Sequence, residues 1–159
     1  MVTKNGQSIK FSEKDVRSMG RATAGVIGIK LSKAEDELVC MDKAEPDGDL
    51  FTVSERGFGK KTPLRSWPRQ RRAGSGVKGT QVSEKTGKVV ASQVIPKGTQ
   101  NIVLTSSMGQ VIKLPVRSVP KLQRQTQGVI LIRLSNREDF VASATSVPKE
   151  EEETGVKPS

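Results

Sequence analysis

Histidine and tyrosine are absent from these 159 residues, and cysteine occurs once. Without an imidazole the chain lacks the usual general base at neutral pH and the commonest metal ligand. The single thiol, Cys40, can form no intrachain disulfide, a usage that fits a reducing compartment such as the cytoplasm. Within Leu38-Val39-Cys40-Met41 it reads as a small apolar residue on a strand. Aromatic residues make up 3% of the chain, and no apolar run approaches the length that spans a bilayer. Neither a signal-peptide pattern nor a basic amphipathic helix is present. What remains does not furnish a self-contained active site, and it predicts no metal and no cofactor.

Positive charge is abundant instead. Twenty-seven Lys and Arg face seventeen Asp and Glu, for a net charge of +10. Residues 148–159 hold two of those lysines and four glutamates in a row, so the body without them stands at +12. This excess points to a polyanionic partner, nucleic acid ahead of an anionic membrane. Residues 148–159 carry little apolar content and are predicted to form a disordered acidic tail, either a solubilising end or a competitor for the cationic sites. With 33% hydrophobic residues, the core must be assembled from many small apolar faces.

Self-similarity organises the rest. Gly6, Gly57 and Gly109 are 51 and 52 residues apart, and Gly25, Gly76 and Gly128 repeat both spacings. Cations keep the same register: Lys10, Lys61 and Lys113; Lys14, Arg65 and Arg117; Arg21, Arg72 and Arg124. Val26, Val77 and Val129 each follow the second glycine. Three units result, 1–48, 49–99 and 100–147. Each reads as an antiparallel sheet of four strands. β-rich segments at 50–53 and 102–105 end in turns at Arg56-Gly57 and Met108-Gly109, and Lys4-Asn5-Gly6 predicts a type I′ hairpin. Basic segments with Pro63, Pro68, Pro115 and Pro120 follow, which stop any helix. Strands are then expected at 26–31, 77–82 and 129–134, and last strands at 38–41, 89–94 and 140–144, the third loop being one residue shorter. The first unit opens at Met1-Val2-Thr3 and lacks the residues that precede the equivalent strand in the others.

The second basic segment contains Gln70-Arg71-Arg72-Ala73-Gly74-Ser75-Gly76, with Lys61, Arg65 and Arg69 before it and Lys78 after. Arginine presents a planar fork of donors to phosphate oxygens, and small residues let a backbone approach a surface closely. Together with Lys10, Lys113, Arg21, Arg117 and Arg124, these cations predict a stripe that contacts phosphates along duplex DNA and reads no bases. Trp67 beside them is expected to pack, because Val16 and Val119 stand near the equivalent positions.

The three units resemble the C-terminal domain of gyrase A, the DNA-cleaving polypeptide of DNA gyrase, which is a β-pinwheel of propeller-like blades. The likeness rests on Val16-Arg17-Ser18-Met19-Gly20-Arg21 with Gly25-Val26-Ile27-Gly28-Ile29-Lys30-Leu31, on Gly57-Phe58-Gly59-Lys60-Lys61-Thr62-Pro63-Leu64, and on Thr126-Gln127-Gly128-Val129-Ile130-Leu131-Ile132-Arg133-Leu134. It implies three four-stranded blades of an incomplete ring, the last three of a domain that usually has six, in a C-terminal portion of a longer polypeptide. It implies a sequence-nonspecific DNA-wrapping module whose partners are double-stranded DNA, the remainder of gyrase A and gyrase B. Strand passage and ATP hydrolysis would lie elsewhere, so the chain would not be an enzyme by itself. The family's wrapping motif, Gln-(Arg/Lys)-Arg-Gly-Gly-(Lys/Arg)-Gly, is matched at Gln70, Arg71, Arg72, Gly74 and Gly76 but not at Ala73 or Ser75. Gyrase and the related decatenating topoisomerase fit the residues equally. A propeller fragment that binds an acidic protein, or a truncated product without a function of its own, stands as the alternative.

Overall fold

A computed structural model describes residues 1–148 of the chain, so the acidic tail from residue 149 onward lies outside the described residues. The chain is all-β, with three short 3₁₀ turns, at Glu13–Asp15, Leu64–Ser66 and Val116–Ser118. Its strands are β1 (Val2–Thr3), β2 (Gln7–Ser8), β3 (Leu38–Cys40), β4 (Asp49–Ser54), β5 (Phe58–Pro63), β6 (Val77–Lys78), β7 (Val89–Val94), β8 (Thr99–Ser106), β9 (Val111–Pro115), β10 (Val129–Ile130) and β11 (Val141–Pro148).

Three antiparallel sheets form, in the orders β3-β1-β2-β6, β10-β5-β4-β7 and β11-β8-β9. A unit therefore does not keep all its strands. β6 belongs to the second repeat by sequence but pairs with β2 of the first sheet, Val77 opposite Ser8 and Lys78 opposite Gln7. β10, from the third repeat, pairs with β5 of the second sheet, Val129 opposite Gly59 and Ile130 opposite Phe58. Each repeat thus gives its third strand to the preceding sheet. This corrects the assignment of those strands to their own units, and it explains two departures at once. Residues 26–31, expected as a strand, form none, because no preceding sheet is present to receive them. The third sheet has three strands among the described residues, because no further repeat supplies its fourth. The donated strands are also short, two residues each where six were expected.

The hairpins correct a second expectation. Gly6 alone is left-handed in the first, at φ 82°, while Asn5 keeps negative φ. The N–H of Gly6 donates to the carbonyl of Thr3 at 3.0 Å, and Gly57 and Gly109 do the same to Ser54 and Ser106 at 2.9 and 3.1 Å. Such a turn ends in a glycine bulge and is not type I′. The last strands correct a third. Leu38, Val89 and Val141 stand opposite Thr3, Ser54 and Ser106, so the spacings of 51 and 52 continue unbroken and the third loop is not shorter. Phe140 is exposed and Val141 is fully buried; the apolar ring one position early had suggested the shift. β11 also runs on to Pro148, opposite Thr99, one residue into the segment assigned to the tail.

Alternation places the core. Leu50 faces the first sheet and packs with Val2, Leu64, Trp67, Val89 and Val94. Phe51 and Val53, on the other face of β4, pack with Ile102, Leu104, Val119, Ile132 and Val141. The middle sheet is thus buried on both sides, and the apolar effect acts between sheets more than within any one of them.

Candidate nucleic-acid interface

The basic segments are the crossovers by which a repeat passes its third strand to the sheet before it. Each crossover opens with a 3₁₀ turn after β2, β5 or β9. Pro63 and Pro115 precede two of these turns in extended conformation, at φ −58° and −60°. In the first, the Ser12 hydroxyl accepts the N–H of Lys14 at 3.3 Å. The middle residues of the three turns are Lys14, Arg65 and Arg117, all exposed, and none is ion-paired among the described residues. Arg69 and Arg71 project from the second crossover and are exposed too.

Residues 70–76 lie against the first sheet. The N–H of Gln70 donates to Lys10 at 2.8 Å, that of Ala73 to Gly28 at 2.9 Å, and the carbonyl of Gly74 accepts from Lys30 at 2.9 Å. Ala73 is left-handed at φ 65°, where the family's motif has glycine. A Cβ on Gly76 would lie 2.5 Å from the carbonyl oxygen of Ser8. The surface that these small residues approach is the neighbouring backbone. Gln70 is half-buried, with its Oε1 enclosed and unpartnered within the chain.

The remaining sequence candidates divide by what they touch. Arg72 reaches the carbonyls of Asp15, at 3.2 Å from Nε, and of Ile27. Arg124 makes the same pair of bonds one repeat later, to Ser66 and Lys78, both 2.7 Å. Lys10 Nζ donates to the carbonyl of Leu64 at 2.9 Å, and Lys61 Nζ to that of Val116 at 2.8 Å. Burial pushes the Lys61 ammonium below its ordinary value, with Asp49 opposing and Lys121 adding to the shift. These four cations clasp one repeat to the next. Arg21 and Lys113, their counterparts at the two ends, are exposed and make no side-chain bond among the described residues. Lys78 is exposed and bonds only the side-chain oxygen of Gln81, at 3.1 Å. Trp67 is buried and donates Nε1–H to the Ser8 hydroxyl at 2.6 Å, so it packs between sheets as expected.

One residue was missed by reading the sequence for cations. Lys60 stands where the other repeats have Ile9 and Ile112, and it is 1% exposed. Its ammonium donates to the carbonyls of Gln123 and Thr126, both 2.8 Å, to the Thr126 hydroxyl at 3.3 Å and to the carbonyl of Arg124. Burial first, and the Arg124 guanidinium second, bring its pKa down to about 8. A charge at an apolar repeat position was the available signal. A second basic feature also escaped notice: an open groove at the junction of the second and third sheets, with Arg56, Lys85, Arg133 and Arg137 above Ile130 and Ile132.

Comparison with known proteins gives a consistent result. The sequence matches the family described as DNA gyrase C-terminal domain, beta-propeller, over residues 1–40, 48–96 and 100–148. The gyrase A polypeptide of Deinococcus deserti is 39% identical over 156 residues, which cover 96% of this chain and 19% of that protein. The gyrase A polypeptide of Thermotoga maritima is 41% identical over 131 residues, 81% of this chain and 16% of that one. The chain therefore spans less than a fifth of the length of these curated relatives. Among solved structures, a DNA gyrase A C-terminal domain superposes with a TM-score of 0.80 at 26% identity, covering 91% of this chain and 48% of that one. The C-terminal domain of a DNA topoisomerase IV shares the fold, with a TM-score of 0.82 at 23% identity over 92% of this chain and 45% of that one.

Proposed function

The chain belongs to the family of DNA gyrase C-terminal domains, and from that membership we propose that it binds duplex DNA without sequence preference, as the wrapping module of a type II topoisomerase of the gyrase A kind. The observation that carries the proposal is the periodic display of Lys14, Arg65 and Arg117 on three equivalent exposed turns, on a body of net charge +12. Arg69 and Arg71 fill the interval beside the second of these turns, since Arg72 between them and Gly74 bonds the carbonyl of Asp15. A backbone with one phosphate charge every few ångströms meets such a row without any base being read. Arg72, Arg124, Lys10 and Lys61 then act on DNA indirectly, by fixing where the crossovers lie. The chain supplies no strand-passage chemistry; it holds DNA for gyrase B and for the remainder of gyrase A.

Salt dependence tests this reading. Log affinity for a duplex falls with log salt at about 0.9 per neutralised phosphate. The triple replacement Lys14→Ala, Arg65→Ala, Arg117→Ala lowers that slope by roughly 2–3 and weakens unrelated duplexes equally, since each lost cation is about one phosphate contact. An unchanged slope, or a loss confined to some sequences, refutes it.

A further inference from the structure

The chain makes the same junction twice, between its first and second repeats and between its second and third. The donor side contributes an arginine to two carbonyls, a left-handed glycine and a two-residue strand. In the first junction these are Arg72, Gly76 and β6; in the second they are Arg124, Gly128 and β10. The acceptor side contributes a lysine to a 3₁₀ carbonyl, a hairpin glycine and a strand edge: Lys10, Gly6 and β2, then Lys61, Gly57 and β5. The fit is close at both glycines. A Cβ on Gly76 or Gly128 would lie 2.5 or 2.6 Å from the carbonyl of Ser8 or Gly59, and one on Gly6 or Gly57 would lie 2.6 or 2.5 Å from that of Thr80 or Ile132.

Both halves of a third such junction are present and unmade. On the first repeat, Gly25 holds the left-handed conformation at φ 78° with nothing within 4 Å of a Cβ position. Val26 and Ile27 follow it, 39% and 65% exposed, with Arg21 exposed nearby. The segment is already positioned, because the carbonyls of Ile27 and Gly28 accept from Arg72 and Ala73. On the third repeat, Gly109 is left-handed at φ 87° with the same empty surroundings, β9 is the edge of its sheet, and Val111 is 61% exposed. Left-handed glycines with no close neighbour, in register with four that have one, are preformed sockets.

We propose that these ends bind each other between two copies of this chain, head to tail, so that two copies close a twofold ring of six sheets. Continuing the register of β6 and β10, Val26 of each copy stands opposite Val111 of the other, and Ile27 opposite Gln110. Arg21 reaches the carbonyls of Ser118 and Ile130, Lys113 reaches that of Glu13, and Gly109 receives the backbone at Ile29. Six sheets also accord with a solved domain of which this chain spans 48%. An exposed strand edge is a template for such addition, and a junction between unlike surfaces closes only when the rotation per unit permits. The inference stands apart from DNA binding, and its test contains no DNA.

Light scattering on the eluting chain, at tens of micromolar and in enough salt to screen two bodies of +12, gives twice 17.2 kDa if the ring forms. Persistent monomer, or a ladder of masses that lengthens with concentration, overturns it. Ile27→Asp and Val111→Asp each lie on a solvent-exposed face, and each alone yields folded monomer by circular dichroism. Mixed, they return a one-to-one dimer, because one intact junction remains between an unaltered Val111 and an unaltered Ile27. A dimer that survives either variant alone, or a mixture that stays monomeric, overturns the head-to-tail arrangement.

Discussion

Replacing Lys60 by Met isolates the contribution of the one buried ammonium identified. The two side chains have similar length, so the apolar stem is kept and the charge is removed. Three carbonyls, those of Gln123, Arg124 and Thr126, then lose their donor inside the second junction. A buried acceptor left unpaired costs about 1–3 kcal/mol, and the recovered desolvation of the ammonium offsets part of the sum. A net loss of about 4 kcal/mol follows, against a typical domain stability of roughly 5–15 kcal/mol. For a chain of this size that is a fall of about 8–16 °C in Tm. The pH dependence gives an independent check. The Lys60 pKa is about 8 in the folded chain against an ordinary 10.5. Between those values the unfolded chain holds a proton that the folded one has released, so this group makes stability rise with pH. K60M lacks that term, and its deficit relative to the wild type widens from pH 8 upward. Paired thermal or urea melts across that range measure both effects. A variant within about 1 kcal/mol of the wild type, or a deficit that does not change with pH, refutes the reasoning.

Arg124→Ala removes two charge-assisted bonds at a half-buried site and costs about 2 kcal/mol, whereas Arg21→Ala costs less than about 0.5 kcal/mol in the monomer, measured by urea denaturation. Gly76→Ala combines a left-handed backbone with a Cβ 2.5 Å from the Ser8 carbonyl, so it costs about 2–5 kcal/mol and separates the first sheet from the second in hydrogen exchange. Asp139 predicts behaviour in acid. Burial alone would raise its carboxyl, but the hydroxyls of Ser106 and Ser107 and the N–H groups of Met108 and Phe140 hold it below the ordinary 3.8. Its contribution is complete above that value and is lost as pH falls through the lower folded one, so Asp139→Asn destabilises at neutral pH and makes little difference in strong acid.

The sequence alone determined whatever recurs locally. Hairpin glycines, proline-stopped segments and β-rich runs repeat at 51 and 52 residues because each unit needs the same turns at the same places. The all-β architecture, the repeat number and the rows of equivalent cations were legible from this. Lys14, Arg65 and Arg117 could be placed on one row without any coordinates. Which cation is free could not. Arg21, Arg72 and Arg124 are identical in sequence register, yet two are bound to carbonyls of the preceding repeat and the first is exposed. The difference lies in the neighbour, because a donor's fate depends on what another segment brings within hydrogen-bonding reach. The same holds for the third strand of each repeat. Val26, Val77 and Val129 follow equivalent glycines, but a strand exists only where a second backbone edge accepts its hydrogen bonds. That edge belongs to another repeat about 70 residues away in sequence, and at Val26 it is missing. Lys60 shows the reverse case. An isolated charge at an isoleucine position looks solvent-exposed in sequence, and only the carbonyls of 123–126, converging from the next repeat, make its burial possible.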